Sequence, residues 1–264
     1  MVAMFFFISG YGLQCKRNLN KIKGMSSVIL KLLVPLLTPS LLFLLLQYFY
    51  VGESLGTILH SVLSYKLILP STWFIVSLII LYVIFYSLSH FFSNERLFLI
   101  SLGIVVLLTC MAFFIGKLPS TYFQANLAFV GGSVYKVLEK KYGKVIKHKP
   151  LILICFLMLI FATVVSKVKI QQGNLFLVFL TTLIWTYSMS YILSSFKYVK
   201  NKVVDFFASI SYEMYICQGI TFIFIHKDFF SSTYLYLLVV IGFNIFFSYM
   251  MHRCSRLLIE IIVK

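Results

Sequence analysis

Long apolar runs dominate this chain, and short clusters of Lys and Arg interrupt them at alternate connections. The runs recur at about the 20-residue length that a helix needs to cross the hydrocarbon core of a bilayer. Of the 264 residues, 61% are hydrophobic and 11% are charged, whereas about a quarter of the residues of a water-soluble domain are charged. The sequence therefore predicts an all-α integral membrane protein.

The apolar runs divide into about nine candidate transmembrane helices. They cover Met1–Leu13, Val28–Tyr50, Trp73–Phe92, Leu97–Ile115, Thr121–Tyr135, Leu151–Val168, Leu175–Phe196, Val203–His226 and Thr233–Met251. The first run is too short to span a bilayer, so we expect a chain that is N-terminally truncated and lacks one preceding helix. The connections are short, which predicts a polytopic helix bundle forming one membrane-embedded domain over residues 1-264.

The distribution of basic residues predicts how the chain threads the membrane. The connections at 14–31, 90–96, 136–149 and 197–202, together with the tail from 252, hold 18 of the 23 Lys and Arg residues. Because positive residues accumulate on the cytoplasmic side, the C-terminus is expected inside the cell. The net charge of +16 then reflects contact with anionic membrane lipids, and no nucleic-acid partner is expected because no basic face stands on a soluble fold.

The cysteines and the short motifs exclude several kinds of site. The five cysteines have neither the pairing of a disulfide framework nor the spacing of metal ligands, so we expect no bound metal. The chain also lacks a glycine-rich phosphate loop, a G-x-S-x-G element and an H-E-x-x-H element. Its chemistry must therefore come from residues in or beside the apolar runs.

Glu213 is the acidic residue that falls within a predicted span, in the segment "ISYEMYICQGI". A carboxyl group inside a membrane is expensive and marks either a functional site or a polar contact between helices. Ser211, Tyr215 and Gln218 share one face of the same helix, and Glu213 points elsewhere around it. Both interpretations of Glu213, a substrate-facing role and helix-to-helix contact, stay open from the residues alone.

The other candidate groups lie near the predicted membrane surfaces. All five histidines are placed at span ends or in connections, so no general base is expected in the membrane core. Lys16, Arg17 and Lys31 belong to a basic cluster where the first two spans meet. This cluster is suited to binding the phosphates of a nucleotide-like substrate, and it is equally explained as a topology signal.

Four motifs occur in a fixed order along the chain: "FFFISGYGL" at residues 5–13, "LKLLVPLL" with Lys31 four residues before Pro35, "TWFIVSLIILY" at 72–82 and "ISYEMYICQGI" at 210–220. In this order the chain resembles the acyltransferase-3 family, including O-acetyltransferases of O-antigen and capsular polysaccharide. The resemblance implies a core of ten helices, of which this chain would hold all but the first.

The resemblance also implies an activity and a set of site residues. The family transfers an acyl group, usually acetyl, from cytoplasmic acyl-CoA to a hydroxyl of an extracytoplasmic carbohydrate, on the cell surface or linked to lipid. On this basis we expect a bacterial inner-membrane enzyme with three groups of site residues. They are Lys16, Arg17 and Lys31 for the CoA phosphates, Glu213, Tyr215 and Gln218 for catalysis, and Trp73, Ser211 and Tyr212 for the substrate.

The chain departs from the family pattern at two positions, and one alternative function is also open. Lys31 replaces a frequent Arg, which reduces bidentate phosphate binding to a point charge, and Gln218 replaces a late His that would titrate. The alternative is a non-enzymatic transporter or flippase of a lipid-linked saccharide, with Glu213 and Gln218 lining its cavity. The two halves of the chain show no convincing internal repeat, which favours the enzyme over the transporter. An inactive or purely structural remnant is a third option. The oligomeric state is left open.

Overall fold

The computed structural model describes residues 2–18, 25–46, 73–119, 122–142, 175–195, 201–225 and 232–263, with isolated positions at 48–49, 52, 54, 56–57, 154, 157–158, 160 and 230. Over these ranges the chain forms helices and no strand. The long helices are α1 (Val2–Asn18), α2 (Met25–Leu46), α3 (Trp73–Phe91), α4 (Glu95–Ile115), α5 (Asn126–Tyr142), α6 (Leu175–Ser195), α7 (Lys202–Phe224) and α8 (Thr233–Val263). The predicted all-α class is confirmed.

Several helix bounds differ from the predicted spans, mainly where polar residues continue a helix. Helix α1 runs on to Asn18, and α8 continues to Val263 where a tail was predicted from residue 252. Helix α5 begins at Asn126 and ends in the basic stretch after Tyr135. The reason is that Lys, Arg and Glu are good helix formers, so a helix need not end where its apolar run ends. The predicted span at 151–168 falls largely outside the described residues.

Three of the described helical stretches are long and apolar enough to cross a membrane: Trp73–Phe91, Glu95–Ile115 and Thr233–Ile261. Their outward residues include Leu108, Ile115 and Leu238, each more than 60% exposed. Large apolar side chains exposed in this density are typical of a surface that faces lipid. The chain is therefore an integral membrane protein, whereas the count of about nine spans and the helix preceding Met1 stay predictions.

The chain divides into two compact units, one of residues 1–25 and 76–198 and the other of residues 26–75 and 199–264. The core of the first unit is aromatic. Phe85 of α3, Phe98 of α4 and Phe129 of α5 are fully buried, with Phe85 meeting the other two rings edge to face at 5.0 and 6.0 Å. Such pairs bury large areas and fix the angle between helices. The prediction of a single domain stays a prediction.

A close crossing of α1 and α5 also belongs to the first unit. At Gly10 an added Cβ would meet the carbonyl of Phe129, and at Gly132 it would meet the carbonyl of Phe7. Ser133 donates to the Gly10 carbonyl across the same contact at 3.2 Å. Small residues that let two helix backbones touch are a known means of association within membranes, where the hydrophobic effect does not drive helices together.

The second unit is built on the α7–α8 pair. The two helices are antiparallel, with Phe224 beside Phe243 near one end and Phe206 beside Tyr249 near the other. Helix α7 begins at Asn201, whose side chain accepts from the Val203 amide at 2.9 Å and caps the helix. This pairing sets which residues of α7 face α8.

Candidate functional site

Glu213 of α7 is paired with a histidine of α8. The Glu213 Oε1 and His252 Nδ1 atoms are 2.8 Å apart. The Glu213 side chain is 5% exposed and that of His252 is 20% exposed. A buried carboxylate bonded to Nδ1 holds an imidazole in one orientation and directs its Nε2 away from the carboxylate. This is the arrangement of a general base and the group that orients it.

The Glu213–His252 pair is the first of three polar layers along the α7–α8 interface. One turn further along α7, the Cys217 thiol lies against Ser248. In the third layer Thr221 Oγ1 donates to Asn244 Oδ1 at 3.2 Å. The layers recur every four residues on both helices, which is the spacing that keeps side chains on one helix face. Polar contacts therefore follow the length of this helix pair.

Asn244 makes two hydrogen bonds to α7 in the third layer. Its Nδ2 donates to the Met214 carbonyl at 3.2 Å while its Oδ1 accepts from Thr221. The amide thus joins a side chain and the backbone of α7 to α8. Interhelical hydrogen bonds of this kind inside membranes contribute about 0.6–2 kcal/mol each, and here they fix the position of α8 against α7.

The predicted substrate residues Trp73 and Tyr212 lie in the second unit beside an aromatic contact. Phe74, next to Trp73 at the start of α3, packs its ring edge to face on Tyr215 at 4.7 Å and on Tyr212 at 6.2 Å. Tyr212 also donates to the Leu32 carbonyl at 2.7 Å. That carbonyl lies in the turn of α2 before Pro35, where a proline weakens the helix's own hydrogen bonds.

The remaining predicted residues of this helix separate from Glu213. Ser211 donates to the Ala208 carbonyl of its own helix at 3.0 Å, and Tyr215 faces α3 through Phe74. Gln218 is partly exposed. Tyr215 and Glu213 therefore face different helices, as the helical spacing predicts.

Arg17, predicted to bind CoA phosphates, makes structural contacts in the first unit. Its Nη2 donates to the Phe92 carbonyl at 2.7 Å, just past the end of α3, and its guanidinium lies 4.1 Å from the centre of the Phe98 ring. Burial lowers the pKa of the guanidinium, and the charge of Glu95 opposes that shift. A cation at a helix C-terminus is favoured by the helix dipole. Arg17 therefore ties α1 to α3 and α4.

The other two residues of the predicted phosphate cluster are placed differently. Lys16 is exposed in the last turn of α1. Lys31 belongs to α2 in the second unit, and its side chain lies outside the described residues. The role of the cluster in binding CoA stays a prediction.

A second polar group joins α1 and α5. Tyr11 donates to Glu139 Oε2 at 2.8 Å, and the Lys136 ammonium lies 2.9 Å from the same oxygen. Burial alone would lower the pKa of Lys136, but its bonds to Glu139 and Tyr11 together raise it above its ordinary value. Lys136 therefore carries its charge throughout the physiological range, and the carboxylate is neutralised in place.

A comparison with protein families decides the classification. The family model described as an acyltransferase domain, of the acyltransferase-3 type, matches residues 1–259. The chain belongs to the acyltransferase-3 family. No curated protein and no solved structure matches it.

Within the described residues, no group of three or more His, Cys, Asp or Glu side chains is arranged to hold a metal ion. Within the described part of the second unit, the Glu213–His252 pair joins a buried carboxyl group to an imidazole.

His252 is the residue that the sequence prediction missed. It was placed in a C-terminal tail, where no partner for Glu213 was expected, because the apolar run ends at Met251. The signal that would have found it is the four-residue spacing of Asn244, Ser248 and His252, which matches the spacing of Glu213, Cys217 and Thr221 on α7.

Proposed function

We propose that this acyltransferase-3 protein transfers an acetyl group from cytoplasmic acetyl-CoA to a hydroxyl of an extracytoplasmic carbohydrate, as the O-antigen and capsular O-acetyltransferases of the family do. The observation that carries the proposal is the buried carboxylate of Glu213 held 2.8 Å from the more exposed imidazole of His252. Acyl transfer to a hydroxyl needs a base for the hydroxyl proton, and this pair supplies one.

The proposed step uses His252 as the catalytic base and Glu213 as its positioning residue. The Nε2 of His252 takes the proton of the acceptor hydroxyl while the hydroxyl oxygen attacks the thioester carbonyl carbon. The carbon–sulfur bond then breaks, and the CoA thiolate leaves with the proton returned by the imidazolium. Glu213 stabilises that imidazolium and fixes the imidazole orientation.

The neighbouring residues of α7 and α3 are proposed to hold the acceptor. Aromatic side chains stack on sugar rings through their apolar faces, and the rings of Trp73 and Tyr212 both contact the ring of Phe74. Ser211, Tyr215 and Gln218 offer hydroxyl and amide groups that suit sugar hydroxyls. Lys16, the exposed member of the predicted basic cluster, is proposed to face the CoA phosphates at the cytoplasmic surface.

The test is transfer of label from radiolabelled acetyl-CoA to envelope and lipid-linked carbohydrate in membranes that contain the full chain. We expect Glu213→Gln and His252→Gln each to lower the rate about 100-fold, the scale of losing a general base. Thermal stability of Glu213→Gln should stay close to wild type, since the amide keeps the shape and the hydrogen bonding.

Matched controls separate the pair from charge changes in general. Glu260→Gln removes an exposed carboxyl from α8, and His90→Gln removes an exposed imidazole at the end of α3. Both controls should transfer at the wild-type rate. Full activity of Glu213→Gln, combined with a lower unfolding temperature for Glu213→Ala, would reduce the pair to a contact between helices.

A further inference from the structure

Helices α1, α5 and α6 border an apolar groove of about 220 Å³ in the first unit. Met4, Phe7 and Ile8 of α1 form one wall, and Tyr135 of α5 forms the opposite wall. The ring centroids of Phe7 and Tyr135 are 5.6 Å apart, so α1 and α5 are in contact at the groove.

Ser190 of α6 places a hydroxyl group among the apolar side chains that line the groove. It is 9% exposed, and its Oγ has no hydrogen-bond partner among the described residues. Two threonines of the same helix, Thr181 and Thr186, each donate to a carbonyl of α6 at 2.8 Å. A buried hydroxyl that lines a groove and lacks such a bond is suited to a polar atom of a ligand.

The groove ends at the Tyr11, Lys136 and Glu139 group. Because Lys136 neutralises Glu139, this end carries no net negative charge. Beyond it lie the exposed Lys16 in the last turn of α1 and Lys140 in the last turn of α5. The groove is thus apolar within, has one buried donor, and is followed by cations. This pattern complements a slender chain attached to phosphates.

We propose that this groove binds the acyl-pantetheine arm of the acyl-CoA donor, with Ser190 donating to a carbonyl oxygen of the arm and Lys16 and Lys140 facing the phosphates. The inference rests on the proposed function, since it names the site of that reaction's donor. A phospholipid is the less suitable occupant because its hydrocarbon tails offer no polar atom to the Ser190 hydroxyl.

The experiment measures the dissociation constant of acetyl-CoA by calorimetry, with the full chain in nanodiscs of zwitterionic lipid. Ser190→Leu fills the groove from inside, and Ile8→Trp fills it from a position that is 56% exposed, where folding is not at risk. Each should weaken binding at least tenfold. Ser87→Leu, at an exposed position of α3, makes the same chemical change elsewhere and should bind as the wild type does.

The outcomes distinguish failure of the groove proposal from failure of the proposed function. Wild-type transfer activity with unchanged binding in both Ser190→Leu and Ile8→Trp overturns the groove and leaves the proposed function standing. Absence of acetyl-CoA binding by the wild type overturns both. A photoreactive acyl-CoA should label the segment that contains Met4 and Ile8. Labelling of that segment by a photoreactive phospholipid, without competition by acetyl-CoA, would assign the groove to lipid instead.

Discussion

Replacing Gly132 with alanine tests the close crossing of α1 and α5. The added Cβ would overlap the Phe7 carbonyl oxygen and lie 2.8 Å from its carbon and 2.9 Å from the Tyr11 nitrogen. Carbon atoms in contact are about 3.5 Å apart or more, so α1 would have to move away by about 1 Å. The obstructing atoms are backbone, and no side-chain rotation relieves the overlap.

The magnitude follows from two opposing terms. Overpacking costs about 1–3 kcal/mol, and a clash of backbone with backbone belongs at the upper end. Alanine is favoured over glycine within a helix by about 1 kcal/mol. The net expectation for Gly132→Ala is a loss of about 2 kcal/mol in the free energy of unfolding.

The measurement is denaturant-induced unfolding of the full chain in detergent micelles, with Gly12→Ala as the control. Gly12 lies on the partner helix α1, two residues past Gly10 at the crossing, and a Cβ there would meet nothing within 4 Å. Gly12→Ala should be neutral or stabilise by up to about 1 kcal/mol. Equal stabilities for the two variants would refute the argument that the backbones touch at Gly132.

Two further predictions concern charge. Arg17→Gln should lower stability by about 1.5–3 kcal/mol, the value of hydrogen bonds to a charged group, whereas Lys16→Gln, at an exposed position, should leave stability unchanged and raise the Michaelis constant for acetyl-CoA severalfold. Thermal unfolding and initial rates of both variants check this. A loss of stability in Lys16→Gln together with a raised Michaelis constant in Arg17→Gln would contradict it. A membrane-impermeant thiol reagent added outside cells should label Phe229→Cys and spare Lys144→Cys, with the five native cysteines replaced. The opposite labelling pattern would invert the predicted threading.

The helical class and the need of Glu213 for a polar partner were predictable from the sequence, because apolar run length and the cost of a buried carboxyl are local properties. The partner of Glu213 was not, since His252 is 39 residues away and lies past the end of its apolar run. Sequence also could not decide the role of Arg17. The same guanidinium suits a CoA phosphate or the carbonyl of Phe92, and only the fold shows which carbonyls lie within reach.

The bounds of the last helix were missed for a related reason. Hydropathy falls after Met251, but the polar residues that follow retain helical propensity and α8 continues to Val263. The groove beside Ser190 was not predictable either. Residues of α1, α5 and α6 line it, with Met4 and Ser190 186 residues apart in the sequence, and no motif marks it.

The two hydrogen bonds of the Asn244 side chain to α7 fix the register of the α7–α8 pair. A slide of α8 by one turn, about 5.4 Å, would bring Arg256 opposite Glu213 in place of His252, since the two residues are four apart on α8. The carboxylate would stay paired, but its partner would be a permanent cation that accepts no proton. The slide breaks the bonds of Asn244 to Thr221 and to the Met214 carbonyl. Asn244 thus selects a titratable partner for Glu213 over one that cannot titrate.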